Sequence, residues 1–272
     1  MLLRHRTIAT LVAVGAALAL PAAAHAKITE IGALPSPLPK FPCPGTGSVA
    51  TNDKVDCQVL SVTTTYQVKV GTKTAFMKVP KDGRIVAWTV ALGKPTATED
   101  AFLTKPSSVT GGGLGLGDPR AGIAVLRADK AKLTYRNVTQ GPIVNLRPYF
   151  GKTVQFPLGR TLNVKKGRII ALTVPSWAPV MTLGQGKTTS YRASRTKAKC
   201  GNTAATASDV LIPSVNTLGK LKAYECLYQD VRLTYSATLI SNPDPAPTSG
   251  SASPGAATPV VTPTTARGAV AR

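Results

Sequence analysis

The chain has 272 residues, 33 Lys and Arg against 12 Asp and Glu, and a formal net charge of +21. Its two histidines, His5 and His25, lie in the first 25 residues. Once an amino-terminal leader is removed, no imidazole is left. That excludes Ser-His-Asp and Cys-His nucleophiles, HExxH zinc sites and histidine proton shuttles.

The first 26 residues, MLLRHRTIATLVAVGAALALPAAAHA, carry Arg4 and Arg6, then an apolar stretch, then Ala24-His25-Ala26. This pattern predicts a Sec signal peptide over 1–26, cut before Lys27. The apolar run breaks at Pro21 and is short for a membrane span. No Cys marks a lipoprotein, and His5 separates the two arginines, so the twin-arginine route is not signalled. The expectation is an exported, extracellular protein with no membrane span. Cleavage would leave 246 residues with 31 basic and 12 acidic side chains, a net charge of +19.

Residues 27–57 follow as a proline-rich arm, with ALPSPLPKFPCPG (33–45) incompatible with helix or central strand. The body is expected over 58–240. CQVLSVTTTYQVKV, TAFMKV, GRIVAWTVAL, AGIAVLRA, AKLTYRNV, TLNVKK, GRIIALTVP and VRLTYSATLI read as short strands separated by Gly, Pro and Lys-Gly breaks. TEDAFL (98–103) reads as one helical turn. Residues 241–272 are Pro, Ser, Thr and Ala with one acid and no aromatic, which predicts a disordered tail. The fold class is therefore all-β: a single two-layer β-sandwich, jelly-roll-like, with a disordered carboxy-terminal tail.

GRIVAWTV (83–90) returns as GRIIALTV (167–174) with six of eight positions identical. Alternation puts Val86, Trp88, Val90 and Leu92 on one face of the first copy and Ile170, Leu172 and Val174 on one face of the second. Each copy follows a lysine-bearing turn, VPKDG or VKKG, so each is expected to be the second strand of a hairpin with its heavier face buried. LTY also occurs twice, but at an offset of 100 residues against 84 for GRI. The repeat is thus read as scaffold within a pseudo-symmetric sandwich, with Trp88 a core filler.

The four cysteines are expected to pair as Cys43–Cys57 and Cys200–Cys226, each closing a loop-like stretch. Their intervals fit no zinc finger, and no metal or cofactor is expected. GGGLGLGD (111–118) lacks GK[ST] and GxGxxG, and reads as a strand connection. The acids Asp53, Asp56, Glu99, Asp100, Glu225 and Asp230 are read as turn and surface carboxylates, although a glycosidase needs only one facing pair. PYFGK (148–152) offers the Tyr149 and Lys152 of a polysaccharide lyase without that class's arginine and Gln-x-His motifs. No catalytic residue is assigned.

For binding, Trp177 in VPSWAP, Tyr149 and Tyr191 are candidates to stack on a sugar, with Lys187, Arg192, Arg195 and Lys197 supplying charge. Between Asp129 and Asp209 there is no acid and there are 14 Lys or Arg, a field that attracts polyanions. Nucleic acid is disfavoured because few aromatics are interleaved with the cations. At VKKGRIIALTVPSWAP, YRASR and YECLYQDVRLTYSATLI the chain resembles a family of uncharacterised secreted proteins from soil actinobacteria, over most of 58–240. That resemblance implies a β-sandwich body and no activity. The expected function is a secreted, non-catalytic binding or structural protein of the cell envelope that holds an anionic cell-wall polymer or a polysaccharide. The rival is a carboxylate-dependent glycan hydrolase or lyase.

Overall fold

A computed structural model describes residues 26–44, 49–50, 54–55, 57–106, 113–200 and 213–243. The expected leader, Asp53, Asp56 and the tail from 244 onward lie outside the described residues. The β-branched runs of the body become strands, taken here in chain order. They are β1 Ile28–Ile31, β2 Val49–Ala50, β3 Lys54–Val55, β4 Leu60–Lys69, β5 Gly83–Ala91, β6 Arg120–Ala128, β7 Thr134–Gln140 and β8 Val144–Asn145. After them come β9 Thr153–Val164, β10 Ile169–Ala178, β11 Met181–Leu183, β12 Ser190–Ala193, β13 Leu221–Ala223, β14 Cys226–Gln229, β15 Val231–Leu233 and β16 Tyr235–Ser241.

Eight of these build the frame. One sheet runs β1-β16-β5-β9. The other runs β7-β6-β10-β4 at its centre, with β13 added at one side and β12 and β14 at the other. Numbered along the frame, the orders are first-eighth-third-sixth and fifth-fourth-seventh-second, all antiparallel. That is the order of a jelly roll, so the protein is an all-β, two-layer sandwich. The arm expected over 27–57 is not outside it: β1 pairs along β16 from Ile28↔Ile240 to Ile31↔Ala237. The first sheet needs that fourth strand to cover its edge, and the sandwich begins at Ile28.

The GRI copies fall in different sheets, β5 in the first and β10 at the centre of the second. Neither is the second strand of a hairpin. β5 pairs with β9 and β16, and β10 pairs with β4 and β6. Each copy instead follows a crossing from one sheet to the other, β4 to β5 and β9 to β10. The crossings answer each other. The lead-in to the second copy lies on the first, with Val164 opposite Gly83. The lead-in to the first lies on the second: Val79 N–H donates to Arg168 O at 2.8 Å, and Ile170 N–H to Met77 O at 2.9 Å. TAFMKV is thus a bonded lead-in, with only Lys78 bridged to Ile169. The two turns also clasp, because Asp82 accepts from Lys165 Nζ and from Lys166 N–H, both at 2.8 Å.

Trp88 is buried at 1% exposure, with Ile85, Val90 and Leu92 around it in the core. Val86 is not there. It is bulged out of both ladders, since Ile85 and Ala87 take consecutive partners Leu239 and Thr238 on β16. An extra residue inverts the alternation upstream of it, so Ile85 takes the core position that Val86 was expected to fill. In β10 every residue but Pro175 is buried. The second sheet is covered on both faces.

Its outer cover is polar. Thr64 Oγ1 sits 3.2 Å from Thr173 Oγ1 and accepts from Asn216 N–H at 2.9 Å. Ser194 Oγ accepts from Thr64 N–H at 2.9 Å and donates to Ser214 O. Asn216 Nδ2 donates to the Tyr224 hydroxyl at 3.2 Å, and Asn137 Nδ2 to Asn216 O at 2.8 Å. Beside this layer Tyr66, Tyr135 and Tyr224 pack with centroids 5.2–5.6 Å apart. Both expected disulfides are present: Cys43–Cys57 and Cys200–Cys226, with Cα atoms 4.5 and 5.2 Å apart. Two disulfides are compatible with an extracellular protein. No helix among the described residues is long and apolar enough to cross a membrane.

Two outcomes follow. Lys165 first and the Lys166 N–H second hold the Asp82 carboxyl below its ordinary value. A lowered folded pKa stabilises above the unfolded value, about 3.9, and that contribution is lost as pH falls through the folded value. Asp82→Asn should therefore lower the thermal midpoint at pH 7, with the gap to the native chain closing as pH falls below the ordinary carboxylate range. A gap independent of pH would refute the clasp. Burial, the largest cause in each case, raises the phenols of Tyr66, Tyr191, Tyr224 and Tyr235. The stability from these neutral phenols is full below about pH 10 and is lost as pH climbs further. In alkaline absorbance titration, these four of the seven tyrosines should ionise only as the fold opens.

Candidate functional site

Trp177 is not a ligand platform. Its exposure is 0%, and it anchors a second small core with Leu103 and the Cys43–Cys57 disulfide. Phe150 lies beside it at 5.7 Å between ring centroids. The indole Nε1 donates to Gly117 O at 2.9 Å, as a buried indole must find a partner.

The expected helical turn is a full helix, α1 Ala97–Thr104. Thr96 and Glu99 form a capping box at its start. At its end, carbonyls left without an intrahelical partner are met by the glycine-rich loop. Leu114, Leu116, Gly117 and Gly115 N–H donate to the carbonyls of Phe102, Leu103, Thr104 and Lys105 at 2.8–3.1 Å. The described part of GGGLGLGD is thus a helix cap, and its Asp118 turns to Arg147. The Arg147 guanidinium takes Asp100 on one nitrogen and, on the other, Asp118 at 3.1 Å and Thr104 Oγ1 at 3.3 Å.

The other expected binding residues divide into two places. Tyr149 ends a short 3-10 turn, half-buried and edge-on to Phe156 at 5.2 Å, and Phe156 lies 4.9 Å from Trp88. Tyr191 is on β12, 7% exposed, with its ring stacked on Tyr228 at 4.9 Å. Neither Trp177 nor Tyr191 presents a ring to solvent. Around β12 the structure does gather the expected cations. Lys187 and Lys197 are exposed, Arg192 and Arg195 half-buried. Arg192 Nη1 donates to Tyr224 O and Glu225 O at 3.0 and 2.9 Å, and Arg195 Nε to Ser214 Oγ at 3.2 Å. The two arginines are therefore fixed by the scaffold, and the two lysines project from it.

The described carboxylates are engaged, with Asp129 the exception. Glu30 accepts from Ser236 and Thr238. Glu99 caps α1, and Asp82, Asp100 and Asp118 ion-pair. Glu225 accepts from Lys197 N–H at 2.6 Å, and Asp230 from Gly186 N–H at 2.5 Å. Among the described residues, no cluster of three His, Cys, Asp or Glu could hold a metal. Basic side chains far outnumber these acids. Arg120, Arg147 and Lys165 ion-pair, whereas the side chains of Lys187, Arg192, Arg195 and Lys197 form no ion pair among the described residues. A shallow cleft of about 380 Å³ brings Lys40, Lys94 and Lys152 together beside Phe41, Leu92 and the Cys43 disulfide, with no acid in its wall. Lys40 and Lys94 escaped the sequence reading, because the arm that carries Lys40 meets the end of β5 only in the fold.

Replacing Arg147 by Met leaves Asp100 and Asp118 without their shared cation. It should cost about 1–2 kcal/mol in urea unfolding, with Trp177 fluorescence shifting to the red as α1 loosens. An unchanged midpoint would show that Arg147 does not hold the helix. No family model matches the chain, and neither a curated protein nor a solved structure matches it.

Proposed function

We propose that the chain is a secreted, non-catalytic β-sandwich module of the cell envelope that binds an anionic polymer through its cationic surface. The observation that carries this reading is the imbalance of charge. Exposed and half-buried Lys and Arg stand without acidic partners, while all but one of the described carboxylates already serve a cap, a turn, a cross-strand hydroxyl contact or an ion pair. Unbalanced surface cations favour association with a polyanion and do little for the fold itself.

Burial of Trp177 and Tyr191 removes two of the three rings expected to stack on a sugar and leaves only the half-buried Tyr149, so charge is the favoured basis of recognition. The same engaged carboxylates weigh against the glycan-active rival, which needs two acids facing a substrate. The leader expected over 1–26 fits the start of the fold. Lys27, the first residue after it, bonds to Ser241 through its N–H at 3.1 Å and its carbonyl at 2.9 Å.

The test is chromatographic. The chain should be retained on phosphocellulose and on an acidic wall polymer, with the logarithm of affinity falling linearly as that of salt concentration rises. Elution independent of salt, or release of reducing ends from a polysaccharide panel, would overturn the proposal.

A further inference from the structure

Like charges placed directly opposite each other in an antiparallel ladder are destabilising, and this fold contains such a pair. Arg127 on β6 faces Arg136 on β7. On the other side of β6, Leu126 faces Ile169, so extending the ladder by one residue sets Arg168 beside Arg127. Three guanidinium-bearing residues thus lie in a row across three neighbouring strands. Strands are about 4.8 Å apart, so the row spans about 10 Å.

Arg127 is exposed, and Arg136 and Arg168 are half-buried. Arg136 is aimed by its Nη1 bond to Gly219 O at 2.6 Å. Arg168 Nη1 is buried without a hydrogen-bond partner. Partial burial first, and the Arg127 charge second, pull the Arg168 pKa below its ordinary value. No acid compensates among the described residues, and Asp129, the nearest in sequence, forms no ion pair there. Beyond Arg136 the row runs to Leu221, itself exposed, with the exposed Lys220 beside it.

We propose that the Arg168–Arg127–Arg136 row is a binding site for a linear chain of phosphate groups. This rests on the polyanion-binding reading above and names its ligand class and place. The planar guanidinium fork matches phosphate oxygens two at a time. Three adjacent forks call for an anion whose charges follow one another closely along a line. A phosphate-linked chain without bases fits better than a nucleic acid, because no Trp or Phe stands in the row to stack a base. Bound phosphates also relieve the mutual repulsion of the arginines.

The experiment titrates fluorescein-labelled inorganic polyphosphate with the full chain, read by anisotropy at two salt concentrations. Arg127→Gln/Arg136→Gln should weaken binding about tenfold or more and flatten the salt slope by about two. Its thermal midpoint in low salt should hold or rise, since a repulsion has been removed. Arg127→Lys, which keeps the charge and loses the fork, should weaken binding about threefold. Lys187→Gln/Lys197→Gln on the β12 flank should change it less than about twofold.

Unchanged affinity in the double arginine variant overturns the assignment, as does equal or tighter binding of polygalacturonate or single-stranded DNA. A native chain that binds none of these polymers would sink the broader proposal as well. Loss confined to the β12 variant would sink only this one.

Discussion

At two of its crossings between the sheets, β4 to β5 and β9 to β10, the chain passes through a tight turn into a copy of the repeat, and the two turns seat against each other. Glycine opens each copy of the repeat for a different physical reason. At Gly83 a Cβ would stand 2.2 Å from Ile240 O, so no side chain fits between β5 and β16. At Gly167 the backbone has φ +83°, a conformation that side-chain-bearing residues rarely adopt. The rest of the motif serves burial. Ile85, Trp88 and Val90 fill one sheet's inner face, and Ile170, Leu172 and Val174 are sealed within the other. The same short sequence suits both places because both are entered in the same way, after a tight turn and beside the other's lead-in.

The second consequence of this geometry is a third, polar layer. With the first sheet against one face of β10 and β4, the opposite face would meet water. Residues 213–219 lie over it, joined by the hydroxyls of Thr64, Thr173, Ser194 and Ser214 and by the amides of Asn137 and Asn216. Hydrogen bonds in such an interior are directional, so this layer fixes the position of its cover more narrowly than apolar contact would. It also positions the cationic side chains. Arg195 bonds to Ser214, Arg136 to Gly219, and Arg192 to the carbonyls that follow the cover.

Much of the frame was legible because it depends on local rules. Short β-branched runs and Gly or Pro breaks mark strands, and the two disulfides close the intervals that the cysteine spacing favoured. Strand partners were not legible, since pairing in a jelly roll is non-local: β5 meets β9 some seventy residues on. Alternation misplaced Val86 because a bulge leaves no mark in hydropathy. The twelve residues of β9 were reduced to TLNVKK because Pro157 and Gly159 resemble a break. Thr234 divides VRLTYSATLI, since its N–H bonds to Val180 and its carbonyl to Ala91.

For the site, the acid-free stretch pointed to cations but not to their arrangement. Arg127 and Arg136 stand at similar distances from the turn of the hairpin that β6 and β7 form, and that symmetry was a readable signal. Arg168 joins them only through tertiary pairing. Trp177 misled because a ring in a proline-framed turn resembles an exposed one, and only the fold brings α1, the glycine-rich loop and a disulfide around it.

The long outer strand β9 bears on how copies of the chain behave side by side. Pro157 offers no N–H to a neighbouring sheet, and Leu158–Thr161 swing out of the ladder opposite Val86, with Arg160 exposed among them. Such an edge is a poor template for lateral stacking. A polymer that draws many molecules onto one strand of charge would crowd them together, and along this blunted seam they would find no regular ladder to extend.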